Sequence, residues 1–219
     1  KHADAAVRQK ADDMVGLMTP IVKAASTDFG SEIANACLQV FGGHGYIREH
    51  GMEQMVRDVR ITQIYEGTNA IQAMDLVGRK LGLDSGRLYN GWLSEVEATL
   101  KRVDGRNDMA EFSEPLKEAV ARLKACTLWL FEDAKNDPNS RNAAACDYLR
   151  LFALTVFAWM WTLMAETALV KKNGSDAFYE TKLHVARYFM RRVLPQTAGL
   201  DAVVRAGSKP MMALAEAAF

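Results

Sequence analysis

QVFGGHGYIREHGMEQMVRDVRITQIYEGTNAIQ, residues 39–72, decides how the rest of the chain is read. It links the end of one periodic segment to the start of another through a glycine turn and one isolated carboxylate, Glu66. Upstream, Ile21, Ala25, Phe29, Ile33, Cys37 and Val40 recur at helical spacing, and Thr19-Pro20 has the form of an N-cap followed by proline at the first helical position. The pattern predicts a helix from Pro20 that stops at Gly42-Gly43. Residues 44–52 are glycine-containing and aperiodic and read as a loop, followed by a short helix over about 53–65 that Glu66 closes. Asn69 with Gln72 resembles a capping box, and Ile71, Met74, Val77 and Leu81 give the next helix one apolar face ending near Gly82. Glu66 thus falls between two regular elements, where a side chain can be aimed into a cleft.

Working outward, residues 83–90 (LDSGRLYN) are polar and mark a boundary between an N-terminal unit, 1–85, and a C-terminal unit, 86–219. Beyond it the pattern predicts helices at roughly 91–103, 114–135, 140–172, 176–194 and 197–217, with Gly207 as a break point that would divide the last into two short helices. Lys171 and Lys172 before Asn173-Gly174 suit a helix C-terminus. In the longest of these, Leu149, Phe152, Val156, Trp159 and Leu163 step by three and four, as in a bundle. Five prolines and abundant helix formers make the class all-α.

The 27 basic and 27 acidic residues cancel, so no long-range field favours nucleic acid or an anionic membrane surface. The apolar run Leu151–Ala165 lies between charges and is read as a buried helix that falls short of a bilayer span. Three widely spaced cysteines, Cys37, Cys126 and Cys146, suit reduced core thiols in a cytoplasmic protein, and no metal-ligand spacing is present. KHADAAVRQKADD at the start has neither an apolar signal core nor an initiating methionine, and reads as the beginning of an excised C-terminal piece.

Three blocks, QVFGGHGY (39–46), RDVRI (57–61) and QIYEGTNAIQ (63–72), in this order and spacing, resemble the end of the flavin-dependent acyl-CoA dehydrogenase family. The resemblance covers about Leu17 to Leu81. Residues 83–219 look like the additional helical extension of a longer bacterial branch, similar to 3-(methylthio)propanoyl-CoA dehydrogenase. The resemblance implies an N-terminally truncated C-terminal helical bundle followed by that extension. It also implies FAD as cofactor, an acyl-CoA thioester as substrate, an electron-transfer flavoprotein as electron acceptor, a place in fatty acid metabolism, and a homo-dimer or homo-tetramer.

By the same resemblance Glu66 is the base that removes the α-proton while the β-hydrogen leaves as hydride to the flavin, giving the α,β-enoyl-CoA. A carboxylate in water is a feeble base for a C–H proton, and an apolar surrounding strengthens it. Tyr65 and Gly67 would line the substrate cavity. Thr68, Asn69 and Ala70 would meet the phosphate-bearing part of the flavin at a helix start. Gln39, Gly42 and Gly43 would touch the flavin of a neighbouring subunit. The fragment by itself is expected to be inactive and to hold flavin weakly, because the domains that close these sites lie upstream.

Each of these residues also has a plainer reading. Glu66 alone is an acid beside a helix N-terminus, and Gly42-Gly43 alone is a helix C-cap. His44 and His50 are loop histidines, and Glu180 with His184 shares a helix face without the second pair a di-iron bundle needs. Lys182, Arg187, Arg191 and Arg192 read as a solvated face, and Trp129, Trp159 and Trp161 as core. The alternative from another class is a non-catalytic, all-helical module for oligomerisation or partner binding.

Overall fold

The computed structural model describes residues 3–171 and 177–214, and among them every regular element is helical. Helix α1 (Ala5–Val40) starts at Asp4, whose carboxylate caps the amide of Ala6 at 2.8 Å, and ends where the Phe41 amide returns to the Cys37 and Gln39 carbonyls. The sequence expectation of a start at Pro20 is therefore corrected: Pro20 is buried inside α1. The Thr19 hydroxyl is no cap but donates back to the Val15 carbonyl at 2.7 Å. The carbonyl that the proline ring crowds belongs to Gly16, where the chain tilts most freely, and Leu17 and Ile21 on either side are fully buried, so tertiary packing holds the turn that proline weakens.

Two short pieces follow, α2 (Gly43–Tyr46) and a 3-10 turn at Arg48–His50, in the stretch expected as loop. Then come α3 (Met52–Arg60) with a 3-10 turn at Ile61–Gln63, and α4 (Asn69–Asp75), which runs into a π-turn at Leu76–Lys80 closed by the Leu81 amide on the Leu76 carbonyl, 3.0 Å. The buried stripe of this helix is Ala73, Leu76, Val77 and Leu81, whereas Ile71 is 50% and Met74 39% exposed. The predicted face was rotated: a stripe at i, i+3, i+4 and i+8 from Ala73 turns Ile71 and Met74 away from the core. The cap is Thr68, whose hydroxyl accepts from the Ile71 amide at 3.4 Å, and Gln72 serves another purpose described below.

The connection to the second half is tighter than the expected eight-residue linker. Asp84, Ser85 and Gly86 take three left-handed conformations in a row, and α5 (Arg87–Val103) has already begun when Leu88 and Tyr89 bury. Next are α6 (Ala110–Glu132), α7 (Pro138–Lys171), α8 (Ala177–Tyr188) with a π-turn at Phe189–Val193, and α9 (Gln196–Arg205). The last predicted helix stops short of its expected end. Gly207 is left-handed, Ser208 is held by Asp137 and Ser140, and residues 208–212 form a turn; residues 215–217 lie outside the described part, as do Lys172, Asn173 and Gly174.

Helix α7 is the mast of the bundle, packed by α1, α4, α6, α8 and α9. Leu151, Phe152, Ala153, Leu154 and Thr155 are consecutive and all fully buried, which is why this helix has no polar face at its centre. Its buried hydroxyls are satisfied locally: Thr155 donates to the Leu151 carbonyl and Thr162 to the Ala158 carbonyl, both at 2.9 Å. By length and composition α7 could cross a membrane, contrary to the reading of its apolar run alone, but the bundle wraps that run. Around it Trp92 meets Phe152 at 4.6 Å between ring centroids, and the Trp159 indole donates to Thr99 at 2.9 Å. Trp129, Trp159 and Trp161 are partly buried against this one continuous core, which draws residues from both halves of the chain.

The far end of α1 outruns that core. Ile33, Val40 and Phe41 are exposed, and so are Tyr46, Ile47, Met55, Ile61, Ile64 and Tyr65 on the elements that follow. Cys37 lies on this stretch and is exposed, as is Cys146, so of the three expected core thiols only Cys126 is buried; all three are free.

Candidate functional site

The loop from Gln63 to Gln72 takes its shape from two consecutive left-handed residues, Glu66 at φ 54° and Gly67 at φ 77°. Glycine adopts that conformation freely; glutamate does so at a cost of about 1–2 kcal/mol. Both carbonyls of the pair are held by side chains from different helices. The Gln72 side chain donates to the Glu66 carbonyl at 2.8 Å, and the Lys23 ammonium, from α1, donates to the Gly67 carbonyl at 2.8 Å.

Lys23 also donates to the Asn69 side-chain oxygen at 2.7 Å. The Asn69 amide nitrogen in turn donates to Asp28 at 2.6 Å, Thr27 at 2.9 Å and the Ala24 carbonyl at 3.3 Å. Gln63, at the other end of the loop, donates to the same Asp28 oxygen at 2.6 Å. An ammonium on one side and a carboxylate on the other fix which way round the Asn69 amide lies. The loop is thus bolted to one turn of α1, residues 23–28, at its start, middle and end.

The carboxylate of Glu66 is left out of this network. It is exposed, and among the described residues it has no ion-pair or hydrogen-bond partner. Tyr65, 51% exposed, stands beside it, and Ile64, Ile71 and Met74 continue an apolar edge. Gly67, Thr68 and Ala70 are exposed; Asn69 is half-buried, with its side chain committed to α1, so its main chain is what it offers outward. As the first residues of α4, Asn69 and Ala70 have no carbonyl four back within the helix for their amides.

Gln39, Gly42 and Gly43 are also exposed, but elsewhere. The Asn69 anchor sits beside residues 24–28 of α1, and the glycine pair lies past its end. At 1.5 Å per residue that is about 20 Å along the helix, so one chain does not bring the two groups together. A Cβ built on Gly43 would meet nothing within 4 Å, nor would one on Gly42, whose φ of 58° disfavours any other residue. Gly45 differs: it is buried, and a Cβ there would stand 2.5 Å from the Leu38 carbonyl oxygen. Gly45, Lys23 and Asp28 were not singled out from sequence. No periodicity marks them, since each acts through a contact with one distant or turned-back segment.

The remaining candidates resolve into structure. The His44 and His50 rings meet edge to face at 4.9 Å, and among the described residues no three His, Cys, Asp or Glu side chains gather as metal ligands would. Arg187 pairs with Glu111 through its Nε at 2.8 and 2.9 Å and Arg191 reaches the same carboxylate at 3.7 Å, tying α8 and its π-turn to α6. Glu180 and His184 approach at 3.5 Å on α8. The larger clefts lie away from Glu66: one of about 440 Å³ between Gly82, Tyr89, Thr127 and Phe131, another of about 420 Å³ between Leu38, Tyr46, Glu53 and Arg57.

Against known proteins, residues 2–81 match the family described as acyl-CoA dehydrogenase, C-terminal domain, and residues 92–215 match that described as acetyl-CoA dehydrogenase C-terminal like. The chain is 34% identical to a 3-methylmercaptopropionyl-CoA dehydrogenase of Ruegeria pomeroyi, over 89% of this chain and 34% of that protein. It is 27% identical to the broad-specificity linear acyl-CoA dehydrogenase FadE5 of Mycobacterium tuberculosis, over 99% of this chain and 37% of that protein. The fold is shared with a crystal structure of Caenorhabditis elegans ACDH-11 in complex with C11-CoA, at a TM-score of 0.66 and 16% identity, covering 92% of this chain and 33% of that one. The chain therefore spans about a third of the length of the relatives it matches.

Proposed function

The chain belongs to the acyl-CoA dehydrogenase family, and on that premise we propose that it forms the C-terminal wall of an FAD-dependent enzyme that oxidises an acyl-CoA thioester to the α,β-enoyl-CoA. Glu66 takes the α-proton. One observation carries this reading: Glu66 is presented on a strained, doubly held turn, and among the described residues its carboxylate has no partner. A structural acid would be expected to pair with one of the neighbouring cations, and Lys23 instead holds the adjacent peptide carbonyl. Such a carboxylate is available to a substrate proton, and the exposed apolar side chains of Ile64, Tyr65 and Ile71 on the same loop and helix start suit an acyl chain.

The residues present fit a flavin dinucleotide in two places. The helix-start amides of Asn69 and Ala70, with the Thr68 cap before them, suit a phosphate, and the open main chain of Gly42 and Gly43, with Gln39 nearby in sequence, suits close approach of a large group. When bound, FAD supplies the acceptor for the β-hydrogen, which leaves as hydride. Tyr65 and Gly67 border the acyl chain and help exclude water from the proton transfer. Because the two flavin-facing groups lie far apart on one chain, each flavin would meet the first set from one subunit and the second from its neighbour, in a homo-dimer or homo-tetramer. The uncovered apolar residues at the end of α1 support a covered interface there.

The same proposal includes an electron-transfer flavoprotein as the onward electron acceptor, a role in fatty acid metabolism and a cytoplasmic location. It takes residues 1–85 as the remaining part of the C-terminal helical domain and 86–219 as its extension. The test is Glu66→Gln in the flavin-loaded full-length enzyme. The variant is expected to keep its yellow colour and to lose acyl-CoA-driven bleaching by more than about 10³-fold. Bleaching at the wild-type rate removes Glu66 from the reaction.

A further inference from the structure

We propose that Lys23 is a positioning residue for the reaction: it acts through the Gly67 carbonyl and Asn69 to aim the Glu66 carboxylate. The inference rests on the base assignment above and extends it to a residue 43 positions earlier in the chain. The turn at Glu66 and Gly67 is left-handed twice over, a conformation that unrestrained chain leaves readily. Rotating the peptide between Gly67 and Thr68 would release it, and that peptide's oxygen is the one Lys23 grips at 2.8 Å. The other grip, Gln72 on the Glu66 carbonyl, comes from α4, whose Ala73 is buried in the core. Lys23 belongs to α1, whose neighbouring residues Ala24 and Ala25 are buried in the core, so it ties the second of the turn's two carbonyls to the rigid body of the bundle from a helix 44 residues away in sequence.

The choice of cation also has a chemical sense. Lys23 directs its protons at two uncharged oxygens, those of Gly67 and Asn69, and among the described residues no carboxylate lies within ion-pair distance of it. It therefore fixes the backbone next to the base without pairing with the base. Asp28 completes the arrangement by accepting from both Gln63 and Asn69, so the loop is held on either flank of Glu66. A displacement of the carboxylate by about 1 Å would be enough to slow proton transfer up to about 100-fold while leaving the substrate's other contacts in place.

The experiment uses the full-length, flavin-loaded enzyme carrying Lys23→Met, Lys23→Arg, Glu66→Gln, or Lys23→Met with Glu66→Gln. Rapid mixing with acyl-CoA reads the limiting rate of bleaching and the half-saturating substrate concentration, and amide hydrogen exchange reads the opening of residues 64–71. Lys23→Met is expected to lower the limiting rate about 10- to 100-fold, to move half-saturation by less than about threefold, and to speed exchange in the loop about tenfold. Lys23→Arg, which can still donate to both oxygens, recovers most of the rate, and adding Lys23→Met to Glu66→Gln slows bleaching no further. Gln72→Leu, which frees the other carbonyl, carries the same expectation and stands in if Lys23→Met does not load flavin. A wild-type limiting rate and unchanged loop exchange in Lys23→Met, beside an inactive Glu66→Gln, overturns the positioning role alone. Undiminished bleaching by Glu66→Gln overturns the base assignment instead, whatever Lys23→Met does to the loop.

Discussion

Gly45→Ala is the sharpest test of how the glycine turn is built. A methyl group at this position would stand 2.5 Å from the Leu38 carbonyl oxygen and 2.8 Å from the Phe41 Cβ, where ordinary contact begins at 3.4 Å. The first neighbour is main chain inside the last turns of α1, so it cannot rotate away as a side-chain tip would. Either α2 lifts from α1 or the end of α1 deforms, and overpacking of this kind costs about 1–3 kcal/mol. For a chain of 219 residues, where 1 kcal/mol moves the midpoint by about 2–4 °C, thermal unfolding should fall by roughly 2–12 °C. Amide exchange over residues 38–47 should accelerate more than in the rest of α1. Gly43→Ala is the control: nothing lies within 4 Å of its added carbon, and alanine in a first helical turn should leave the midpoint unchanged or raise it slightly. Equal midpoints and equal exchange in Gly45→Ala and wild type would refute the packing account. So would a Gly43→Ala variant that is the less stable of the two.

Two further outcomes can be checked on the chain alone. Burial, reinforced by the Asp201 carboxylate, pushes the Cys126 thiol up to about 12, so a disulfide reagent at pH 8 should label Cys37 and Cys146 in the native protein and reach Cys126 only on unfolding; rapid native labelling at Cys126, read by peptide mass, would contradict this. Hydrogen bonds from Arg102, with the charge of Arg106, hold the Glu166 carboxyl below its ordinary value of 4.5, linking the α5–α6 connection to α7. A carboxyl depressed on folding adds stability that is fully present above its ordinary value and is lost as pH falls through the folded one. Glu166→Gln should therefore be less stable than wild type by about 1 kcal/mol at pH 7, and the gap in denaturant midpoints should close in acid; a gap that is constant down to pH 3 would remove the ion cluster as its cause.

Much of the architecture was legible because it follows from local rules. The periodic apolar steps of Leu149, Phe152 and Val156, the glycines after Val40, and the punctuation at Asp137-Pro138 and Pro195 placed the end of α1, the helices α5 to α8 and the start of α9 within a few residues, whereas α9 ends at Arg205, well before its expected end. What escaped the sequence depended on partners. Pro20 looks like a helix start unless one knows that Leu17 and Ile21 beside it are fully buried and carry the helix through it. Ile33, Cys37 and Val40 repeat at core spacing, yet α2 and α3, which pack along this end of α1, leave all three exposed. At the candidate site the motif around Glu66 was readable, but its supports were not: a lysine and an aspartate far upstream, each meeting the loop through one or two polar atoms, leave no periodic trace.

Helix α7 has a consequence for how the molecule comes into being on the ribosome. Its middle is apolar on every side, and the elements that wrap it lie both long before it, as with Glu32 on α1, which binds Arg150 at 2.6 Å, and after it, as with α9. Until α9 has emerged, a newly made α7 has a greasy flank open to water. A chain stalled or clipped before about residue 196 would be a natural client for chaperones or proteases, and the emergence of α9, rather than any single early nucleus, would be the event that commits this bundle to its native shape.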